Sequence, residues 1–226
     1  MKITYHGHSA LSFLLKDGTR LIIDPFLSQN PLADISEKDV QADYVLVTHG
    51  HDDHVGDTVE IAKNNQAMVI SIVEICSFVA SQGVEKTHGL NIGGGFDFPF
   101  GRVTLTHAQH SSGYEKDGQM IYMGEPAGLL LQVEGKTIYH AGDTADCSDL
   151  ALLGEKVPID VAFLPIGDNF TMGPDDAVSA AKRLKAKTVI PIHYNTFEVI
   201  KQDPNAFVEK LPGIGKVMEI GETIEV

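Results

Sequence analysis

Short apolar runs separated by polar turns predict β-strands in the first half of the chain. Residues 11–15 and 21–24 are two such runs, and the segment between them, Lys16-Asp17-Gly18-Thr19, contains an Asp-Gly pair that is typical of a β-hairpin. Residues 44–48 form a further run that is rich in β-branched side chains, and it ends abruptly in the polar segment 49–54. We therefore expect this polar segment to lie on a loop after a buried strand.

The apolar spacing changes from that of a strand to that of a helix within residues 68–83. Residues 68–70 form a short apolar run of the kind found in strands. The next apolar residues recur at i, i+3, i+4, i+7 and i+8, and they are Ile72, Ile75, Cys76, Val79 and Ala80. Gln82-Gly83 then suits a helix end, so we expect a strand followed by a helix.

The second half of the chain repeats this alternation. Strands are predicted at 102–106, 127–133, 136–140, 161–164 and 188–192, helices at 174–185 and around 205–211, and two further strands at the C-terminus. The polar, glycine-bearing segment between His110 and Gly128 predicts a long loop. Because no linker or repeat interrupts the pattern, we expect a single domain over residues 1–226, with sheets packed together and helices outside.

Charge and cysteine content narrow the classes of function. Seventeen Lys and Arg against 31 Asp and Glu give a net charge of −14, which disfavours nucleic acid and anionic membranes as partners. Cys76 and Cys147 form neither a disulfide framework nor a metal knuckle, so we expect a reduced, cytoplasmic protein. No apolar stretch approaches the roughly 18–20 residues that a membrane-spanning helix requires.

The segment His49-Gly50-His51-Asp52-Asp53-His54 carries the strongest chemical signal in the chain. Imidazole suits zinc and carboxylate suits harder divalent ions, and four such side chains lie within six residues. Six consecutive residues cannot all converge on one tetrahedral ion. The spacing therefore favours two neighbouring ions, with His49 and His51 facing one and Asp53 and His54 facing the other.

Further metal ligands are expected where later strands end. His110 follows the strand predicted at 102–106, Asp143 follows 136–140, and His193 follows 188–192. Strand ends that gather along one edge of a sandwich are a common place for a site. We expect these three side chains to join those of the histidine-rich segment.

These segments resemble, in the same order, the metal-binding motifs of the metallo-β-lactamase superfamily. The resemblance rests on Thr48–His54, His110, Gly142-Asp143-Thr144 and His193, and it runs the length of the chain. Smaller motifs, including Gly7-His8-Ser9 and Asp24-Pro25, are similar to a branch of metal-dependent hydrolases related to ascorbate-6-phosphate lactonases. The implied fold is α+β, a four-layer αβ/βα sandwich of two mixed β-sheets with helices on the outer faces.

The resemblance also implies a ligand set and a reaction. It assigns His49, His51 and His110 to a first ion. It assigns Asp53, His54 and His193 to a second ion, and Asp143 would bridge the two. The ions would be zinc or manganese, and the same ligands tolerate iron. Hydroxide bound to both ions would attack a small ester-like substrate, a lactone or a phosphorylated metabolite, with Asp53 and Asp143 as catalytic residues.

The sequence leaves two other functions open. A phosphodiesterase or nuclease of the same superfamily is disfavoured by the negative charge of the chain. A protein that binds metal without catalysis is disfavoured by the complete set of ligands. Similarity to the lactonases also implies a homo-oligomer.

Residues near the predicted ligands receive supporting roles. Asp24 is expected to accept hydrogen bonds from backbone N–H groups of the 49–54 loop and so to fix it, although a simple turn role is the alternative. His8, His140, Tyr114 and Asn169 are candidates for contact with substrate, and a structural role is equally open for the two histidines. Residues 113–128 would either shape the pocket or merely connect two strands.

His107 competes with His110 as a metal ligand. Residues three apart in an extended chain point to opposite sides, so only one of the two is expected to face the ions. The His-Ser-Ser segment that begins at His110 favours that residue, and we expect His107 to be packed or exposed elsewhere.

Overall fold

Continuously buried apolar runs form the centre of the first of two β-sheets. The computed structural model describes all 226 residues. The strands are β1 (Lys2–Tyr5), β2 (Leu11–Leu14), β3 (Arg20–Ile23), β4 (Tyr44–Leu46), β5 (Met68–Ile72), β6 (Thr87–Leu90), β7 (Gly95–Phe98), β8 (Gly101–His107), β9 (Gly113–Lys116), β10 (Gln119–Tyr122), β11 (Ala127–Val133), β12 (Lys136–His140), β13 (Val161–Pro165), β14 (Thr188–Ile192) and β15 (Thr223–Glu225). The helices are α1 (Asp52–Val55), α2 (Thr58–Asn65), α3 (Val73–Ser81), α4 (Ser148–Lys156), α5 (Pro174–Leu184) and α6 (Pro204–Glu209).

Both large sheets are mixed. The first has the strand order β15-β1-β2-β3-β4-β5-β6, antiparallel as far as β3 and parallel from there on. The second has the order β14-β13-β12-β11-β8-β7, parallel at the β14 end and antiparallel after β12. The expected α+β sandwich of two mixed sheets is confirmed.

Alternate residues of the second sheet face different layers. Val161 and Phe163 of β13 join the core between the sheets, whereas Ala162 and Leu164 pack towards the helices that cover the outer face. This division follows from the two-residue period of a strand. Helices α2 and α3 lie against the first sheet and α5 and α6 against the second. No helix has the length and apolar character needed to cross a bilayer.

Helix α5 begins and ends as its sequence predicts. Pro174 occupies the first turn together with Asp175 and Asp176, and Lys182 and Arg183 lie in the last turn. Proline at this position loses no helical hydrogen bond. The acidic residues at the start and the basic residues at the end both interact favourably with the helix dipole. The chain leaves the helix through Lys185, which adopts a left-handed conformation.

Two expectations about secondary structure are wrong. The segment between His110 and Gly128 contains a hairpin, in which β9 pairs with β10, rather than a loop throughout. The C-terminal region contains one regular strand, β15, and its other pairing is an isolated bridge between Val189 and Gly215. Strands β1, β6 and β7 and helices α1, α2 and α4 had no clear sequence pattern.

Candidate metal centre

The two sheets bring the ends of several strands to one edge of the sandwich. His8 follows β1, His49 follows β4, His110 follows β8, Asp143 follows β12 and His193 follows β14. Within each sheet these strands run in the same direction, so their C-terminal ends share an edge. The side chains beyond them meet between the sheets.

These side chains form two groups that could each hold a metal ion. The potential ligand atoms lie within 4.8 Å of one another in each group. The first group consists of His49, His51, His110 and Asp143, and the second consists of His8, Asp53, His54 and His193. The structure thus brings together every residue that the sequence suggests as a ligand, and it adds His8.

Asp143 lies between the two groups. Its Oδ2 atom is 3.1 Å from Nε2 of His193 and 3.3 Å from Nε2 of His54 in the second group. The same oxygen is 3.6 Å from Nε2 of His110 and 3.9 Å from Nε2 of His49 in the first group. One carboxylate therefore faces histidines of both groups, as a bridging ligand would.

Three ring nitrogens converge in the first group. Nε2 of His49 lies 2.9 Å from Nδ1 of His51, and Nε2 of His110 lies 3.2 Å from the same atom. Ser111 Oγ lies 3.2 Å from the other ring nitrogen of His51, Nε2. Donation from Nε2–H to this hydroxyl would leave Nδ1 unprotonated and directed at the other two rings.

Buried polar atoms of the second group and of Asp143 lack hydrogen-bond partners in the protein. They are Nε2 of His54, both ring nitrogens of His193 and Oδ1 of Asp143. The two Nε2 atoms are close to Asp143 but are not aligned as donors. A buried polar atom without a partner costs about 1–3 kcal/mol, and cations satisfy such atoms directly. The donor set of nitrogen and carboxylate oxygen therefore fits divalent ions.

Burial keeps the imidazoles of the first group neutral at pH 7. It lowers the pKa of His49 well below the usual range, and it lowers the pKa of His51. Burial likewise lowers the pKa of His110 to about 4, against the opposing effect of Asp143. Neutral imidazole is the form that binds metal, so this group needs no deprotonation.

His54 and His193 of the second group have the opposite electrostatics because two carboxylates adjoin them, whereas burial lowers the pKa of His8 in the same group to about 4. Burial alone would lower the pKa of His54 and His193, but the neighbouring carboxylates together outweigh it: Asp143, Asp24 and Asp53 at His54, and Asp143 and Asp53 at His193. The pKa of His54 lies well above its usual range, and that of His193 rises to about 9. Neighbouring histidines overcome burial and hold the pKa of both Asp53 and Asp143 well below normal, so both are ionised.

Asp24 is fully buried behind the second group. Its carboxylate accepts hydrogen bonds from the N–H of Thr48 at 2.8 Å, the hydroxyl of Thr48 at 2.6 Å and Nδ1–H of His54 at 2.8 Å. The contact with Nδ1 fixes the His54 tautomer that leaves Nε2 facing Asp143. Asp24 thus anchors the start of the 49–54 segment and one of its rings.

The 49–54 segment is a loop only as far as His51, because α1 begins at Asp52. Gly50 packs closely between the ligands: its N–H donates to Ser112 Oγ at 3.0 Å, and a Cβ at this position would lie 2.1 Å from Cβ of Met123. Only glycine fits here without displacement. No sequence signal indicated this packing of Gly50 against Ser112 and Met123.

His8 and His140 are fully buried, so neither exposes a ring to substrate. Nε2–H of His8 donates to Oδ2 of Asp53 at 3.1 Å, and its Nδ1 lies 2.9 Å from Thr196 Oγ1. Nε2–H of His140 donates to the carbonyl of Ser9 at 2.9 Å. Both histidines hold other parts of the site in place.

The remaining candidate residues lie near the site but not in its cavities. Tyr114 packs on Phe78 of α3 with ring centroids 4.9 Å apart, and Asn169 is exposed beside Phe170.

A cavity of about 370 Å³ is lined by Phe170 and by ligands of both groups. A second cavity, of about 480 Å³, lies beneath the β9–β10 hairpin. His107 is half-exposed and lies 3.9 Å from Asp149, away from the ligands, as predicted.

The fold is that of the metallo-β-lactamase superfamily, to which the chain belongs. The sequence profile of the beta-lactamase superfamily domain matches residues 19–194. Within the superfamily, the chain belongs to the UPF0173 metal-dependent hydrolases. It is 57% identical over 226 residues to such a protein from Anoxybacillus flavithermus, with 100% of each chain covered, and 55% identical over 224 residues to one from Enterococcus faecalis, with 99% of each covered.

Solved structures with this fold include proteins with different names. A metallo hydrolase from the archaeon Ignicoccus hospitalis superposes with a TM-score of 0.88 at 38% identity, covering 99% of this chain and 97% of its own. An isothiocyanate hydrolase from gut bacteria of Delia radicum has a TM-score of 0.78 at 20% identity, covering 100% of this chain and 99% of its own. The second likeness shows a shared fold alone.

Proposed function

We propose that this protein is a hydrolase that uses two divalent ions to cleave a small carboxylic ester or lactone. The observation that carries the proposal is the position of Asp143, whose Oδ2 atom faces histidines of both ligand groups. A single ion would not need two complete groups of ligands that meet at one carboxylate. The names of the relatives as metal-dependent hydrolases support the same class of reaction.

The residues present divide naturally between two ions. His49, His51 and His110 would hold one ion, Asp53, His54 and His193 would hold the other, and Asp143 would serve both. The mixture of nitrogen and oxygen ligands suits zinc or manganese. Two such ions would lower the pKa of a water between them towards neutrality and would polarise the bond to be cleaved.

Asp53 has the geometry to orient the attacking water. Its ionised carboxylate lines the 370 Å³ cavity, and its Oδ2 atom is already held by His8. The carboxylate can accept a hydrogen bond from water in the cavity and so direct a lone pair at the substrate. Burial of the neighbouring ligands limits access to the cavity side, where the substrate must enter.

Other expectations accompany this function. Ligands between His49 and His193 come from both sheets, which supports residues 1–226 acting as one domain. The two cysteines are unpaired, which is consistent with a reducing, cytoplasmic setting. A homo-oligomer remains a proposal from the resemblance to lactonases.

Reconstitution with defined ions tests the proposal. The protein is stripped by chelator, loaded with zinc or manganese, and assayed on p-nitrophenyl esters, lactones and bis-p-nitrophenyl phosphate. We expect two ions per chain, ester or lactone turnover, and loss of that turnover in Asp53→Ala and His193→Ala. Two bound ions with turnover no higher than in these variants would favour the metal-binding alternative, and phosphodiester turnover alone would favour the phosphodiesterase.

A further inference from the structure

We infer that the site takes a substrate whose acyl group is apolar and uncharged, and that this group binds against Phe170 and the β9–β10 hairpin. The inference rests on the proposed hydrolase function and names its class of substrate. It separates neutral esters from the phosphorylated metabolites that the resemblance also allowed. The geometry of the two cavities carries it.

The two cavities meet at the first ligand group. Both are lined by His51, His110 and Ser111. From these shared residues, one cavity extends to Phe170 and the other extends to Met120 and Tyr122 of β10. A substrate whose reacting group lies at the ligands would therefore have large apolar side chains within reach in both cavities.

These apolar side chains are unusually exposed. Met120 is 71% exposed, Tyr122 is 64% exposed and Phe170 is 54% exposed. Exposed apolar groups that border a cavity with metal-ligand residues are typical of a binding site, because an apolar ligand removes them from water. The volumes, about 480 and 370 Å³, are in the range of pockets that hold small organic molecules.

The charges around the cavities disfavour an anionic substituent. The cavity beneath the hairpin is lined by Glu125, and neither cavity is lined by lysine or arginine. Lys116 is the basic residue of the hairpin, but its Nζ donates to Gln82 Oε1 at 2.8 Å and lies 5.8 Å from the centre of the Phe78 ring. It is thus held against α3. A carboxylate or phosphate remote from the reacting group would face Glu125 without a compensating cation.

A pair of esters that differ in one charge tests this inference. The zinc- or manganese-loaded protein is assayed on p-nitrophenyl butyrate and on mono-p-nitrophenyl succinate, which share the leaving group and differ in a terminal carboxylate. We expect kcat/KM for the butyrate to exceed that for the succinate by about tenfold or more. The succinate also releases p-nitrophenol when its own carboxylate attacks the ester to form the cyclic anhydride, so the rate without enzyme is subtracted. Equal enzyme-catalysed rates, or a higher one with succinate, would overturn the inference.

Variants locate the binding surface. Met120→Ala and Phe170→Ala should each lower kcat/KM for the butyrate several-fold more than for p-nitrophenyl acetate, because the shorter acyl group makes fewer apolar contacts. Leu152→Ala is the matched control: Leu152 is 58% exposed on α4 and lines neither cavity, so both rates should stay unchanged. Glu125→Lys should raise kcat/KM for the succinate by removing one like charge and adding an opposite one.

The outcomes separate this inference from the proposed function. If no ester is hydrolysed faster than by Asp53→Ala, the proposed function fails. If esters are hydrolysed but Met120→Ala and Phe170→Ala affect the butyrate and the acetate equally, the hydrolase stands and the apolar acyl site is wrong. A preference for butyrate that both variants reduce supports the two together.

Discussion

The imidazole of His8 supports the carboxylate of Asp53 from the buried side of the metal centre, with Nε2 of His8 3.1 Å from Oδ2 of Asp53. Both ring nitrogens of His8 have protein partners, since Nδ1 lies 2.9 Å from Thr196 Oγ1. Nε2 of His54 and Nε2 of His193 have none. This difference indicates that His8 positions Asp53, whereas the other two rings are free to bind an ion.

Substitution of His8 should therefore weaken ion binding, and a replacement side chain that still donates a hydrogen bond to Asp53 should restore it. We expect His8→Ala to lower the affinity for the second ion, or kcat, by roughly 10–100-fold. His8→Gln should recover much of the loss, because its amide N–H can still donate to Asp53. Ion affinity by chelator competition and kcat on an ester measure both effects.

His88→Gln serves as the control for these two variants, because the ring of His88 packs against Phe96 and Phe98, with centroids 4.3 and 4.9 Å away, rather than against a candidate ligand. Equal losses in His8→Ala and His8→Gln would argue against positioning through a hydrogen bond. They would favour direct coordination by the His8 ring.

Asp24 should couple the stability of the fold to that of the metal centre. Asp24→Ala leaves three buried donors without their acceptor, including His54, and we expect it to cost roughly 3–5 kcal/mol in the free energy of unfolding. Asp24→Asn preserves the shape and should fold, but with ion affinity about 10–100-fold lower. Urea unfolding and ion content by mass spectrometry provide the measurements.

Asp43→Asn is the matched control for Asp24, because Asp43 accepts an exposed hydrogen bond from the N–H of Arg20 at 2.8 Å. It should change stability little and ion content not at all. If Asp24→Asn bound two ions as tightly as Asp43→Asn, the anchoring role of Asp24 would be refuted.

Gly50 should tolerate no side chain. The Cβ of Gly50→Ala would lie 2.1 Å from Cβ of Met123, so we expect a loss of roughly 1–3 kcal/mol or more in unfolding free energy, together with weaker ion binding. The cost should be smaller in a Met123→Gly background, since that removes the clashing atom. If the changes in unfolding free energy for the two substitutions, measured in urea, were simply additive, the strain would lie elsewhere.

The two thiols should differ in reactivity. Burial raises the pKa of Cys76 to about 11, and Cys147 is partly exposed. Because the thiolate is the reactive form, Cys76 should resist iodoacetamide at pH 8, and only on denaturation should a second thiol react. Mass spectrometry of the native and unfolded protein counts the labels, and two rapid labels on the native protein would contradict this picture.

The sequence predicts those parts of the fold whose burial is continuous or strongly periodic. Strands β11 and β12 match their predicted bounds because β11 is mostly apolar, β12 carries β-branched and aromatic side chains, and a Glu134-Gly135 turn joins them. The β9–β10 hairpin was not predicted because neither strand has a buried residue and β9 has no apolar run. Its Asp117-Gly118 turn is the signal that could have revealed it.

The candidate ligands were predictable because four of them share one short segment and the others follow strands. His8 lacked such a local signal. Its contact with Thr196 spans 188 positions of sequence, and its contact with Asp53 exists only because β1 and β4 end at the same edge. Contacts of this kind follow from tertiary packing, which a periodic pattern does not encode.

The β9–β10 hairpin pairs with neither large sheet. Its residues can therefore mutate without disturbing a ladder that carries an ion ligand. Substitutions confined to this short segment could thus change which substrate the protein accepts, while the candidate ion ligands stay in place.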